Sequence, residues 1–310
     1  MNVLVVGGNG FIGSHLVDRL CADGLDVVVL DKDDRRYDRC PAPVRMIRGD
    51  MRDPTLVKNA LHRIEIVFHL AWSTIHEVAN QAPAADVQAN LMPSIQLLDA
   101  CCRAGVQRVV YLSSGGTVYG VQRRLPIPET RAQQPITAYG VTKLAVEKYL
   151  EMYRQLYGLE YVALRPSTPY GPRQNPLARQ GAVAVFLYRV GHGLPVSIWG
   201  DGSTTRDFFF ISDLVDALVS SVTSRLAQRV INIGGGEEVS LRTLVRLVEA
   251  TVGRQAQVEF APPRPFDAPR VLLDIRRAQR ALNWRPAVPM AQGLQVTWEW
   301  MQQHHKVGAR

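Results

Sequence analysis

Residues 3–13 read Val-Leu-Val-Val-Gly-Gly-Asn-Gly-Phe-Ile-Gly, and no other segment restricts the fold as much. A short apolar run ending in glycine is the pattern of a buried parallel strand. Gly10–Cys21 then takes up helical spacing, with Phe11, Ile12, Leu16, Val17 and Leu20 on one side. Strand, glycine turn and helix in that order suit a dinucleotide. Gly7 permits the tight turn, Gly10 lets the backbone approach a pyrophosphate, and Gly13 lets the helix pack close to the strand. The helix N-terminus offers free N–H groups and the positive end of a dipole to the phosphates.

The same alternation continues. Strands are expected at Val27–Leu30, Val44–Ile47, Ile66–Leu70, Val106–Leu112 and Tyr161–Leu164. Helices are expected near Thr55–His62, Ala84–Ala104 and Thr137–Tyr157. This predicts an α/β fold: a Rossmann-like, doubly wound parallel sheet covered on both faces. After Arg165-Pro166 the texture changes. Pro166, Pro169, Pro172 and Pro176 punctuate a long loop, and short strands and helices then mix. Helices are read at Leu241–Thr251, with Ser240 as N-cap, and at Met290–Gln302. The expected partition is a first domain over 1–165, with the chain returning to it around 207–228. A smaller mixed α/β C-terminal substrate domain takes 166–206 and 229–310.

Hydrophobic residues make up 46% and charged residues 21%, which excludes a disordered or disulfide-dense chain. The formal charge of +8 suits an anionic partner without choosing one. Lysines and arginines are dispersed rather than clustered with aromatic platforms, so a nucleic-acid partner is not expected. No apolar run approaches the roughly 20 residues of a membrane span, and no signal peptide is read at the N-terminus. Cys21, Cys40, Cys101 and Cys102 lack zinc-site spacing and read as reduced thiols of a cytoplasmic protein. No metal constellation is found; His304-His305 read as solvated.

Asp31 ends the second strand, where a carboxylate accepts from the adenosine ribose hydroxyls and repels a 2′-phosphate. That favours NAD over NADP, although Lys32, Arg35 and Arg36 follow closely. Asp50 follows the third strand, within reach of an adenine. Tyr139-Gly140-Val141-Thr142-Lys143 puts a phenol and an ammonium at i and i+4 on one helix face. The ammonium is expected to lower the phenol's pKa and allow it to act as a general base on a sugar or alcohol hydroxyl. Lys143 is also placed to bond a nicotinamide ribose.

Together these residues resemble the extended short-chain dehydrogenase/reductase family, in its NAD-dependent epimerase/dehydratase group. The resemblance covers nearly the whole chain. Its landmarks include Gly49-Asp50-Met51-Arg52-Asp53, His69-Leu70-Ala71, Asn90, Arg165-Pro166-Ser167-Thr168-Pro169-Tyr170-Gly171-Pro172, Trp199-Gly200-Asp201-Gly202, Arg206-Asp207-Phe208 and Arg264-Pro265-Phe266-Asp267. Within it the chain is most similar to UDP-hexose 4-epimerases. The resemblance implies NAD held by Phe11, Ile12, Lys32, Met51, Leu70, Ala71, Trp72, Asn90, Ser113 and Pro166 besides the residues above. It implies that Tyr139 takes the C4 hydroxyl proton of a UDP-sugar. Arg206 and Arg264 would contact the diphosphate, Asp267 the uridine ribose and Trp199 the base, with Thr168 and Val183 also lining the substrate. It further implies a homodimer through a four-helix interface, and a place in carbohydrate or polysaccharide metabolism.

The chain departs from the pattern at Leu112-Ser113-Ser114-Gly115-Gly116-Thr117-Val118-Tyr119-Gly120. The family's usual catalytic serine or threonine falls on Gly115. Thr117 shares a face with that position if the segment is extended, so it is the expected surrogate, with Ser114 behind it. The acidic residues of sister dehydratases and decarboxylases are missing at Gly116-Thr117. Val271 stands where some relatives place a tyrosine, leaving room for a 2-acetamido group. The readings are thus C4 epimerisation of a UDP-hexose, UDP-N-acetylhexosamine or UDP-hexuronate, a nucleotide-sugar reductase on the same scaffold, or a module that senses NAD without chemistry.

Overall fold

The computed structural model describes residues 1–34, 44–74, 76–178, 180–223 and 228–305. Cys40, Arg35 and Arg36 lie outside them. The main sheet gathers β1 (Asn2–Val6), β2 (Asp26–Asp31), β3 (Arg45–Arg48), β4 (Ile66–His69), β5 (Arg108–Leu112) and β6 (Glu160–Pro166). Shorter strands follow as β7 (Thr168–Tyr170), β8 (Val196–Trp199), β9 (Thr205–Arg206), β10 (Phe208–Phe210), β11 (Val230–Ile233), β12 (Val239–Ser240) and β13 (Val258–Ala261). The helices are α1 (Phe11–Ala22), α2 (Pro54–Ala60), α3 (His76–Gln81), α4 (Pro83–Asp86), α5 (Met92–Ala104), α6 (Ala138–Tyr157), α7 (Ala182–Gly191), α8 (Ile211–Thr223), α9 (Leu241–Val252), α10 (Arg276–Ala281) and α11 (Met290–His304).

Seven parallel strands run in the order β11-β6-β5-β4-β1-β2-β3. Val3 to Val6 are buried to 1% or less, because β1 is paired on both edges and covered on both faces. The strand order reverses between β1 and β4, the switch point outside which open α/β sheets hold their ligands. The expected Rossmann-like sheet is therefore present. One apolar cluster lies under α1 and α8 and extends into the second lobe, while another lies under α2, α5 and α6.

Three differences from the sequence reading matter. Val230-Ile231-Asn232-Ile233, placed by the sequence with the second lobe, instead pairs with β6 as an edge strand. Its β-branched residues make it a good buried strand, with Ile231 and Ile233 fully enclosed. The helix expected over Ala84–Ala104 is interrupted by a π-helical turn at Val87–Leu91. Pro93, the second residue of α5, has no N–H to give, so the ladder shifts register before it. Lastly, residues 115–119 form a turn rather than an extended segment, with the Val118 amide on the Ser114 carbonyl at 3.2 Å.

Candidate active site

The glycine turn is built as its spacing demands. Gly7 has φ +87°, and a side chain there would lie 2.7 Å from the Ala71 amide. A Cβ on Gly13 would meet the Gly7 carbonyl at 2.1 Å, so helix and strand touch backbone to backbone. At Gly10 a Cβ would find only that same carbonyl, at 3.5 Å, so its outer face is clear. α1 opens on Gly10 with no side-chain cap. An uncapped helix start beneath open space fits a pyrophosphate. Phe11 and Ile12 are half-buried against the core behind it. Gly10→Val should therefore yield folded protein from which NAD no longer co-purifies, with a melting temperature matching that of NAD-free parent to within a few degrees. Retention of NAD would show that the phosphates lie elsewhere.

Asp31 accepts from the Asn9 amide at 2.9 Å and the Asp33 amide at 3.0 Å, which fixes its carboxylate beside the turn. Lys32 and Asp50 lie close enough for the lysine to help hold the Asp50 carboxyl below its usual range. The larger cause is Arg52, whose guanidinium bonds Asp50 at 2.8 Å. Asp50, expected near an adenine, is thus engaged with its neighbour here. Met51 is half-buried against the second apolar cluster. Leu70 continues from β4, its amide on the Val6 carbonyl at 3.0 Å, and Ala71 closes over Gly7.

Tyr139 and Lys143 lie on the first turns of α6, whose N-cap Thr137 accepts from the Gly140 amide at 3.1 Å. Lys143 is 3% exposed. Its Nζ donates to the Leu112 carbonyl at 2.8 Å and sits 3.8 Å from the centre of the Trp72 ring. Burial lowers its pKa to about 7, against the raising effect of Glu147 and Asp86. Trp72 also makes an edge contact with Tyr139 at 5.6 Å.

The phenol is not lowered as the sequence suggests. Burial and the Asp86 carboxylate push it up, and only the Ser114 hydroxyl, bonded to it, acts the other way. The ammonium is spent on a carbonyl and an indole face, 5.7 Å from the centre of the tyrosine ring.

Ser114 thus reaches Tyr139, whereas Thr117 Oγ1 is buried without a hydrogen-bond partner. The glycine at 115 has a steric cause. A Cβ there would lie 2.4 Å from Leu273 Cδ1 and 2.8 Å from the Arg165 carbonyl. The carbonyl is the firmer obstacle, since it is backbone, and Leu273 closes over the same space.

Ser113 turns its hydroxyl inward to Glu147, away from the cleft. Glu147 also takes two bonds from Arg165, at 2.9 and 2.5 Å. Arg165 reaches the Tyr119 hydroxyl at 2.7 Å, and both charged partners are under 5% exposed. Pro166 ends β6, with its carbonyl on the Gly115 amide at 2.8 Å. Asn90 faces the loop after β4, accepting from the Ser73 amide and hydroxyl at 2.9 Å.

On β9, the Arg206 guanidinium donates to the Thr205 and Ala268 carbonyls at 2.7 and 2.8 Å. Its pKa is lowered first by burial and also by nearby Arg264. Arg264 pairs with Asp267 at 2.7 Å and lies 5.2 Å over the exposed Trp199 ring. Two neighbouring guanidiniums and one carboxylate leave a positive excess suited to a diphosphate. Thr168 is half-buried on β7, its amide on the Asp207 carbonyl at 3.1 Å. Val183 is 1% exposed inside the core, so it does not line an open cleft. Val271 is likewise closed off at 3%, and the room expected there is not open in this conformation.

Three residues that the sequence reading did not single out hold this arrangement: Asp86, Glu147 and Leu273. None stands in a motif of its own. Each is found only where separate segments converge.

An uncapped, glycine-opened helix at the switch point of a parallel sheet, beside a Tyr-Lys pair, defines a dinucleotide-dependent enzyme. The chain belongs to the NAD dependent epimerase/dehydratase family, whose model matches residues 3–234. It is 38% identical over 306 residues to the UDP-glucose 4-epimerase of Mycolicibacterium smegmatis, covering 96% of this chain and 98% of the relative. Among solved structures it is similar to UDP-glucose 4-epimerase from Thermotoga maritima with UDP-glucose. There the TM-score is 0.93 and the identity 35%, over 98% of this chain and 99% of the other. It is also similar to the Thermus thermophilus UDP-glucose 4-epimerase complex with NAD, at TM-score 0.91 and 36% identity, over 97% and 99% of the two chains.

Proposed function

We propose that the protein interconverts the C4 epimers of a UDP-sugar, using NAD as a resident cofactor. The observation that carries this reading is the hydrogen bond between Ser114, in the turn after β5, and Tyr139, in the first turn of α6. The fit to NAD rests on the uncapped start of α1, the clear face of Gly10 and the buried, unpartnered Trp72 Nε1 beside Lys143. NAD, when bound, would supply the acceptor and donor of a hydride at C4. Tyr139 takes the proton of the C4 hydroxyl and gives it back after the 4-keto sugar has turned over. Ser114 bridges sugar oxygen and phenol, replacing the hydroxyl that the Arg165 carbonyl and Leu273 crowd out of position 115. Lys143 supplies positive charge near the ring and binds ribose hydroxyls. Arg206 and Arg264 hold the diphosphate while the sugar turns, Asp267 meets the uridine ribose, and Trp199 offers a face to the base.

The test is incubation of the purified protein with UDP-hexoses, UDP-N-acetylhexosamines and UDP-hexuronates, with no cofactor added. Interconversion of a C4 pair by NMR is expected. Turnover only with stoichiometric reduced cofactor would replace epimerisation by net reduction. Ser114→Ala should slow turnover by about 10²-fold, a typical loss for a proton relay. Thr117→Val should change it far less; the reverse order would return the role to Thr117.

A cytoplasmic homodimer is part of the proposal. Val141, Met152 and Leu156 form an exposed apolar stripe along α6, with exposed Met92 on α5. A second copy burying this stripe by twofold symmetry accounts for it. Sedimentation at the mass of a single chain would remove that assembly. Among the described residues, no helix is long and apolar enough to cross a membrane.

A further inference from the structure

Asp86 closes α4 and is 1% exposed, yet it belongs to none of the motifs above. Its carboxylate gathers three side chains from three segments. Thr142 Oγ1 on α6 donates to one oxygen at 2.6 Å. Asn90 Nδ2, in the π-helical turn, donates to the other at 2.9 Å, and Thr74 Oγ1, in the loop after β4, donates to that same oxygen. Thr142 directly precedes Lys143, and the Thr74 loop carries Trp72, which covers Lys143. All three donors are neutral. A buried carboxylate satisfied only by neutral groups keeps its field unscreened, and its effect falls on whatever ionises nearby.

We propose that Asp86 is a positioning residue of the catalytic centre, a fixed negative charge that sets the protonation of the Tyr139–Lys143 pair while tying the cofactor loop to α6. This rests on the reading of Tyr139 as the base. The groups facing the pair are few. On α6, Glu147 acts on Lys143. On β5, the buried Tyr111 phenol stays neutral, and on β4 the buried His69 is held neutral with its pKa near 3. Glu147, the stronger of the two on Lys143, is paired with Arg165, whereas Asp86 has only neutral donors in hydrogen-bond contact and also acts on Tyr139. A negative charge favours protonated forms. It therefore raises the pKa of the ammonium and of the phenol together.

The sign gives a distinctive test. The two limbs of the rate profile report loss of a proton from the ammonium and from the phenol. Neutralising Asp86 lowers both pKa values, so Asp86→Asn should move the whole profile toward acid by about one pH unit. Asp86→Glu, which keeps the charge, should keep the profile in place even if it lowers kcat. KM for the sugar should not change, because Asp86 reaches no substrate. Should the asparagine variant not fold, Asp86→Ser makes the same comparison with a smaller neutral group. Lower kcat in a neutral variant with both limbs unmoved would overturn the proposal and leave Asp86 a structural tie. Tyr139→Phe, measured alongside, separates the two ideas. Surviving activity there would remove the base on which this inference rests, whereas its loss together with unmoved limbs in Asp86→Asn would remove the inference alone.

Discussion

Tyr139→Phe will purify folded and carrying NAD, and will interconvert its sugar about 10³-fold more slowly than the parent. The phenol hydroxyl is bonded to Ser114, while the ring makes the edge contact with Trp72. Phenylalanine keeps that contact and the course of α6, and loses only the hydroxyl proposed to take the proton. Binding and chemistry should then part. NAD released on denaturation and the sugar KM should match the parent, and only kcat should fall. A rate within about tenfold of the parent would mean that Ser114 or solvent carries the proton, because losing a positioned base usually costs more.

The second large effect concerns stability. Glu147→Leu removes the carboxylate that holds two arms of Arg165 and the Ser113 hydroxyl. The guanidinium would remain enclosed with the Tyr119 hydroxyl as its remaining side-chain partner. Stranding one member of a buried pair costs about 3–5 kcal/mol, a fall in melting temperature of roughly 10 °C for a chain of this size. Replacing both members, as Glu147→Leu with Arg165→Met, should recover much of the loss, since no charge is left unpaired. Scans at one fixed heating rate compare the three proteins. Equal melting temperatures for the parent and the single variant would show that water reaches Arg165.

The sequence made some of this legible and not the rest, for physical reasons. The glycine turn could be read because backbone contact between Gly7 and Gly13 admits no side chain. The Tyr139–Lys143 pair could be read because helical spacing alone puts both on one face. The choice of Thr117 over Ser114 rested on the alternation of a strand, whereas residues 115–119 turn. Gly115 looked like a lost hydroxyl, although the Arg165 carbonyl and Leu273, both far away in the chain, crowd its place. Asp86 gave no local signal, since one acid in a polar helical stretch is ordinary until Thr74, Asn90 and Thr142 are seen around it.

The edge strand β11 has a consequence for how the chain is made. On the ribosome β6 emerges well before β11, with β7 to β10, α7 and α8 between them. Until β11 arrives, the outer edge of β6 carries unpaired amides and carbonyls that can recruit a strand from another nascent chain. A fragment cut after β6 would keep that raw edge permanently. It should therefore self-associate rather than serve as a minimal nucleotide-binding unit.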